Sequence, residues 1–477
     1  MERILTAAQM RDADKFTIEK LGVSEDELVS RAGLCVADEI MKRFHGGRVL
    51  VCVGKGKNGA DGKIIANILA KKHGFTVSIV SVYNGIFKMF DCKYDIIVDC
   101  ILGTGLNRPV DGYYKTAIEK INESSAFVVS CDIPSGLNGD NGRVMGVAVK
   151  ANLTVAIQEY KLGHFLNEGP DYSGEVVARD IGISIWGDDY VKRLTPEAVS
   201  KFFKHRPRNI NKGTCGRVAL IGGSKQYSGS ALLALNALTA LKAGTGYSNL
   251  IVPESLFYVY AGRHPECLIT TAKEKDGVIL YDEELLRRIL TYNSIAIGMG
   301  IGVSKEVFKT ICFLLENYKG HLLIDADGLN SLAKYGIDVL KNKKCKVVLT
   351  PHVGEFARLC KVEKETVLED FIGLAKDFAK EHDVIVVLKS AVSIITDGEE
   401  VYINTTGCNG MAKAGTGDVL SGFAVGMLAN TEDVLECSAA ACFVLGKAGE
   451  ITCKEQNEFT MTASDIIKSL PKVINKL

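Results

Sequence analysis

The sequence predicts an α/β protein of two domains, each built on a largely parallel sheet, and three observations predict it. Short apolar runs alternate with helical patterns along the chain. Each half carries a glycine-rich turn between a strand and a helix, and a polar, proline-bearing stretch, LTPEAVSKFFKHRPRNINKG from Leu194, separates the halves. The 477 residues exceed one ordinary core and suit two, with domains expected over 1–205 and 206–477.

In chain order, Thr6 with Gln9 and Ser24 with Glu27 form two capping-box patterns, so two helices are expected before the first strand. Val49 to Val53, Thr76 to Val82, Ile96 to Asp99 and Phe127 to Cys131 read as strands buried on both faces, and Val176 to Ile183 closes the first half. The second series begins at Gly216 with GRVALIGGS, followed by an alanine-rich helix from about Ala231 to Ala243. Strands are then expected at Ser248 to Val252, Ile295 to Gly298, Leu322 to Asp325, Lys346 to Thr350 and Val384 to Lys389, with a hairpin turn at Asp397-Gly398.

Composition narrows the function classes. Hydrophobic residues make up 47% and charged residues 24%, as in ordinary soluble domains. Lys plus Arg equals Asp plus Glu at 57 each, which offers no general attraction for nucleic acid or an anionic membrane, so small molecules are the expected partners. The 14 cysteines form no matched C-x-x-C pairs, which argues against zinc and a redox dithiol; most are expected to be buried thiols. The amino terminus, MERILTAAQMRDADKF, has no apolar h-region, and no stretch approaches the roughly 18 apolar residues of a membrane span, so a cytoplasmic protein is expected.

Gly54-Lys-Gly56-Lys-Asn-Gly59 follows a strand and opens a helix, as the dinucleotide fingerprint G-x-G-x-x-G requires. The next strand ends in Ser81-Val82-Tyr83-Asn84, without the acidic residue that holds a ribose, which weakens an ordinary dehydrogenase. Three further clusters fall at strand ends: Asp99 with Gly103-Thr104-Gly105-Leu106-Asn107-Arg108-Pro109, then Asp132-Ile-Pro-Ser135-Gly136, then Lys161-Leu-Gly163. Each alone is ordinary turn composition, whereas four at the carboxyl ends of strands point to one crevice.

This half resembles the YjeF amino-terminal family of NAD(P)H-hydrate epimerases, from Met1 to about Trp186, and the resemblance implies a Rossmann-like three-layer domain. It further implies that Asn58, Asp99 and Ser135 ligate a potassium ion, and that Lys57, Asn58, Gly59, Ala60, Asp61, the run Gly103 to Pro109 and Asp132 hold the hydrated nicotinamide nucleotide, with Asp132 in acid–base work. Lys57 stands where the family usually has Asn, Ala60 where it has Gly and Lys63 where an aromatic is common. Lys57 either adds a phosphate contact or projects into substrate space, and Ala60 restricts the loop if the backbone there is unusual.

The second half carries Asn404-Thr-Thr-Gly-Cys-Asn409-Gly410-Met411-Ala412-Lys413-Ala414-Gly415-Thr416-Gly417-Asp418, running into a helical pattern. Backbone N–H groups and the positive helix end suit a phosphoryl group in transit, and Asp418 suits a base for the hydroxyl being phosphorylated. The bland alternative is an acidic residue in a first helical turn. With Lys212-Gly-Thr-Cys-Gly216, Ile221-Gly-Gly-Ser, Gly298-Met-Gly300-Ile-Gly302, Asp325-Ala-Asp327, Thr350-Pro-His352-Val-Gly354-Glu355 and Lys389-Ser390-Ala391-Val392-Ser393, this half resembles the ribokinase-like NAD(P)H-hydrate dehydratases.

That resemblance implies that Gly302, His352 and Asp418 touch the hydrate, that Lys389 to Ser393 and Asn409 to Gly417 bind an adenine nucleotide, and that magnesium bridges its phosphates. Together the halves imply an isomerase followed by a carbon–oxygen lyase: epimerisation of hydrated NADH and NADPH, then dehydration with ADP as phosphoryl donor, in a homo-oligomer. Lys413, where the family often has Thr, would instead favour ATP by offsetting its extra charge. The alternative is a ribokinase-like, ATP-dependent kinase of a vitamin precursor with a non-catalytic nucleotide-binding amino-terminal domain.

Overall fold

Runs of Val and Ile too short for helices become strands buried on both faces, and the glycines that follow them turn the chain into helices. A computed structural model describes residues 1–85, 87–240 and 244–477. It divides into two units, Arg3–Val191 and Lys192–Leu477 with Met1–Glu2.

The first unit holds a parallel sheet in the order Phe75–Ser81, Gly47–Val53, Ile96–Cys100, Phe127–Cys131, Leu153–Ile157, Glu175–Arg179. The central strands are buried throughout, whereas Phe75–Ser81, expected to be covered on both faces, is a half-exposed edge. Helices Glu25–Arg43 and Lys57–Ala70 pack one face through Val36, Ile40, Ile65 and Leu69. Helix Gly112–Glu123 packs the other through Ala117, Ile118 and Ile121. Strand order reverses at Gly47–Val53, so the loops after it and after Ile96–Cys100 diverge and open a crevice at the carboxyl end of the sheet.

The Thr6 capping box forms in full, and Ser24 accepts from the Glu27 amide at 3.2 Å. Two strands lie outside the sequence expectation. Glu2–Leu5 precedes the first helix and pairs with Tyr160–Lys161, and Leu153–Ile157 fills the sheet where the sequence shows only a short apolar run.

In the second unit, parallel strands run Leu268–Ala272, Tyr247–Pro253, Arg217–Ile221, Ser294–Ile297, His321–Ile324, Lys346–Leu349, Ile385–Leu388, followed by the antiparallel Ser393–Thr396 and Val401–Asn404. The Asp397-Gly398 turn joins the last two, with Gly398 at φ +97°. The expected alanine-rich helix spans Ser228–Ala240, and residues 241–243, its expected end, lie outside the described residues. It packs with Thr416–Leu428, Val434–Gln456 and Ala463–Ile474 over one apolar core. All 14 cysteines are free thiols, and among them Cys92 alone is exposed. Among the described residues no helix is long and apolar enough to cross a membrane.

Two candidate active sites

The first unit encloses a cavity of about 860 Å³ at the carboxyl end of its sheet. Gly54 and Gly59 explain the turn that opens it: a Cβ on Gly54 would lie 1.9 Å from the Ile101 carbonyl, and one on Gly59 would lie 2.1 Å from the Gly54 carbonyl. Only glycine lets the two loops approach this closely. Of the expected binding residues, Lys57, Asn58, Asp61, Gly103 to Arg108 and Asp132 line the cavity; Gly59, Ala60 and Pro109 do not. Ala60 lies inside the regular helix Lys57–Ala70, where its Cβ is tolerated, and Lys63 is exposed. The Lys57 ammonium is drawn aside to Asp14 and Glu25, at 2.9 Å each, on the first two helices.

Below the crevice, Asp99 is fully buried and accepts from Ser130 Oγ at 2.9 Å, the Ser135 amide at 2.8 Å, Ser135 Oγ at 2.5 Å and the Ile101 amide at 3.2 Å. Burial raises its carboxyl above the ordinary range, against these four neutral donors. The Asn58 amide donates to Leu102 O at 2.9 Å and Cys131 O at 3.3 Å, which leaves Oδ1 buried without a partner. A monovalent cation would satisfy that oxygen and offset the Asp99 charge, so the residues fit one.

Asp132, held at φ +69°, is ion-paired with Lys161, whose side chain is 1% exposed and also donates to Ile157 O at 2.7 Å. His164 Nδ1 accepts from the Lys161 amide at 3.1 Å, so its Nε2 carries the proton and donates to Asp132 O at 2.8 Å. The sequence pattern places Lys161 at the crevice and carries no signal for His164, which meets the backbone of Lys161 and Asp132.

In the second unit, Gly415 adopts φ +94° and caps helix Thr416–Leu428, which places the Gly415 and Gly417 amides at the positive helix end, while the Thr416 amide donates to Lys413 O at 3.4 Å. Thr416 Oγ1 is buried and without a partner. The Lys389 ammonium lies 3.2 Å from where a Cβ on Gly417 would stand and 2.9 Å from Asp325 Oδ1. Burial opposes that ammonium, and the Asp325 and Glu355 carboxylates more than offset it, so its pKa is raised. Ser421, one turn after Asp418, donates to Asp325 Oδ2 at 2.7 Å. Asp418 is pushed up to about 6, by burial first and the Asp325 charge second, while the Ser230 hydroxyl hydrogen-bonds it. Ser230 leaves no local sequence signal as a site residue, because it meets Asp418 through the packing of helix Ser228–Ala240 on Thr416–Leu428.

The Gly302 amide donates to Asp327 Oδ2 at 2.9 Å. His352 caps helix Val353–Cys360, its Nδ1 accepting from the Gly354 and Glu355 amides at 2.9 and 3.3 Å. Burial and then Lys389 hold its imidazole below the usual range, in keeping with a ring that accepts at Nδ1. The Lys389 amide donates to Pro351 O at 2.8 Å, which sets these two loops side by side. Ser390 and Ala391 are exposed beyond Lys389, Val392 is buried, and Ser393 begins the hairpin strand. Across Asn409–Met411, Gly410 packs on Met461; Ala412, Lys413 and Ala414 are exposed. Lys413 donates to the Phe459 and Met461 carbonyls at 2.6 Å each, tying the glycine-rich loop to the segment before the last helix.

Residues 218–472 match the family described as NAD(P)H-hydrate dehydratase, and residues 25–86 and 83–163 match the YjeF-related protein N-terminus. The chain is 31% identical over its full length to 97% of a bifunctional NAD(P)H-hydrate repair enzyme of Thermofilum pendens. It is 34% identical over 96% of its length to 95% of the enzyme so named from Archaeoglobus fulgidus. Among solved structures, the ADP/ATP-dependent NAD(P)H-hydrate dehydratase of Bacillus subtilis, co-crystallised with ATP and magnesium, superposes with a TM-score of 0.53 at 28% identity, covering 60% of this chain and 98% of that one. Relatives that match both halves disfavour the vitamin-precursor kinase alternative. Matched end to end at this identity, with a glycine turn opening a helix in one unit and a cavity at the carboxyl end of the sheet in the other, the chain belongs to the family of bifunctional NAD(P)H-hydrate repair enzymes.

Proposed function

We propose that residues 1–205 epimerise the R and S hydrates of NADH and NADPH and that residues 206–477 dehydrate the S form, with ADP as phosphoryl donor, in a cytoplasmic homo-oligomer. The observation that carries this reading is Asp418: a carboxyl at a helix start, beside a glycine turn and the Lys389 ammonium, with its pKa raised to about 6. At neutral pH it is ionised yet basic enough to accept a proton.

The hydrate carries a hydroxyl on the carbon next to the ring nitrogen, and hydroxide leaves poorly. Asp418 takes the hydroxyl proton as the oxygen attacks the nucleotide's terminal phosphoryl group; Lys389 and the Gly415 to Gly417 amides stabilise its charge. The ring nitrogen then expels phosphate and the dihydronicotinamide re-forms. Bound with the nucleotide, magnesium would supply charge neutralisation at its phosphates. Gly302, His352 and Asp418 border the hydrate, and the loops Lys389 to Ser393 and Asn409 to Gly417 hold the nucleotide.

In the first unit, Asn58, Asp99 and Ser135 would hold a potassium ion, which would supply a fixed positive charge to the site. Asn58, Asp61, the Gly103 to Pro109 loop and Asp132 bind the hydrate. Lys57 is ion-paired with Asp14 and Glu25, and all three stand on the cavity wall.

ADP is supported by the engagement of Lys413: its ammonium is spent on the Phe459 and Met461 carbonyls, so it does not offset an additional phosphate. The test is incubation with hydrated NADH, excess magnesium and ADP or ATP at matched concentration. Return of dihydronicotinamide absorbance supports the dehydratase reading, and a faster initial rate with ADP supports the donor; no return with either nucleotide refutes it.

A further inference from the structure

Asp61 lines the amino-terminal cavity one turn after Asn58 on the same helix. No hydrogen bond or ion pair engages its carboxyl among the described residues; burial and neighbouring charges alone act on it. Asp132, on the same cavity, is in the opposite situation, ion-paired with the buried Lys161. The groups facing Asp61 are Asp14 from the first helix, Lys57 from its own, Cys100 and Cys131 from the strand ends, and Asp132 with its partner Lys161. Lys57, the cation that would hold Asp61 ionised, is shared between Asp14 and Glu25. Burial, then the charge of Asp132, therefore push Asp61 up to about 8, and it keeps its proton at neutral pH. One cavity thus contains a carboxyl that can give a proton and a carboxylate that can take one.

We propose that Asp61 is a catalytic general acid of the amino-terminal site, paired with Asp132 as general base, and that together they epimerise the hydrate by opening and reclosing its ring. The proposal rests on reading this cavity as the epimerase site. The hydrated carbon bears both a hydroxyl and the ring nitrogen. Asp132 takes the hydroxyl proton, the oxygen's electrons form a carbonyl, the carbon–nitrogen bond breaks, and its electron pair stays on nitrogen, which takes the proton of Asp61. The open aldehyde turns about the adjacent carbon–carbon bond. On reclosure nitrogen attacks the other face and returns its proton to Asp61, while Asp132 returns its proton to the oxygen. Both carboxyls end as they began, and no oxidant, reductant or nucleotide is consumed. Breaking the carbon–oxygen bond instead would require the phosphoryl activation that the second unit supplies.

The experiment follows interconversion of R and S hydrates by chiral separation, with the full chain in potassium buffer without nucleotide, from about pH 6 to 10, for wild type, Asp61→Asn and Asp61→Glu, and for wild type in heavy-oxygen water. Expected are a wild-type kcat/KM that falls above about pH 8, a ~100-fold loss of kcat in Asp61→Asn with little change in KM and no alkaline limb, partial recovery in Asp61→Glu, and retention of the original oxygen. An Asp61→Asn enzyme with wild-type kcat or an unchanged alkaline limb overturns the acid assignment while leaving the epimerase reading intact. Uptake of one solvent oxygen per inversion overturns the ring-opening route, and the wild-type limb and oxygen label decide the matter if the Asn variant fails to fold. A wild type that interconverts nothing removes the epimerase reading and the proposal with it.

Discussion

Each candidate site carries an aspartate raised by burial first and a neighbouring aspartate second, and the two differ in their protonation at neutral pH. Asp61 rises to about 8 beside Asp132, and Asp418 to about 6 beside Asp325. The difference lies in what else is within reach: Asp418 has the Ser230 hydroxyl and the Lys389 ammonium to favour its charged form, whereas the cation near Asp61 is held by two other carboxylates. At neutral pH one candidate site is left with a protonated carboxyl and the other with an ionised one, from the same residue type near the start of a helix. A buried aspartate does not declare its role; the nearest donor and cation decide it.

The comparison breaks most readily at Asp418. Asp418→Asn is expected to lower dehydration ~1,000-fold, since a positioned base contributes that order, while epimerisation proceeds at the wild-type rate. Absorbance recovery and chiral separation on one sample measure both, and joint loss in a folded protein would show that the two units do not act separately. Asp99→Ala is expected to cost epimerisation ~10- to 100-fold with dehydration unchanged, because the buried cation site loses its carboxylate. Replacing potassium by a bulky organic cation should reproduce the loss in wild type; unchanged rate and unchanged amino-unit melting would exclude the metal.

A pH series sharpens the contrast further. Dehydratase kcat/KM should fall as pH drops through about 6, where Asp418 gains a proton. Asp325→Asn removes the like charge that raises Asp418 and should move this limb to lower pH. A limb that stays in place would detach Asp325 from the base. The smallest effect is on stability. Asp61 binds its proton more tightly folded than unfolded, so across the window from 3.8 to about 8 the folded state loses stability as pH rises. Asp61→Asn should remove this slope, raising the melting point of the amino unit by a few degrees at alkaline pH and changing it little at acid pH; equal shifts at both ends would contradict the raised carboxyl.

The sequence alone determined the α/β class, the two-domain division and the glycine turns at which both candidate sites lie, because glycines at Gly54, Gly59, Gly415 and Gly417 answer to local backbone demands that leave a local pattern. Asp132, Asp418 and Lys389 were legible for the same reason, each lying directly beyond a strand or a glycine turn. The strand Glu2–Leu5 was not, since its four residues carry no local pattern and pair with Tyr160–Lys161, more than 150 positions away. Only the tertiary structure decided that Lys57 turns to Asp14 and Glu25, that Lys413 ties down two carbonyls, that Ser230 reaches Asp418, and that Asp61 stands unpaired on the cavity of Asp132. Each of these depends on which distant side chain is nearest to a charge after packing, and protonation in a buried site is set by those few ångströms.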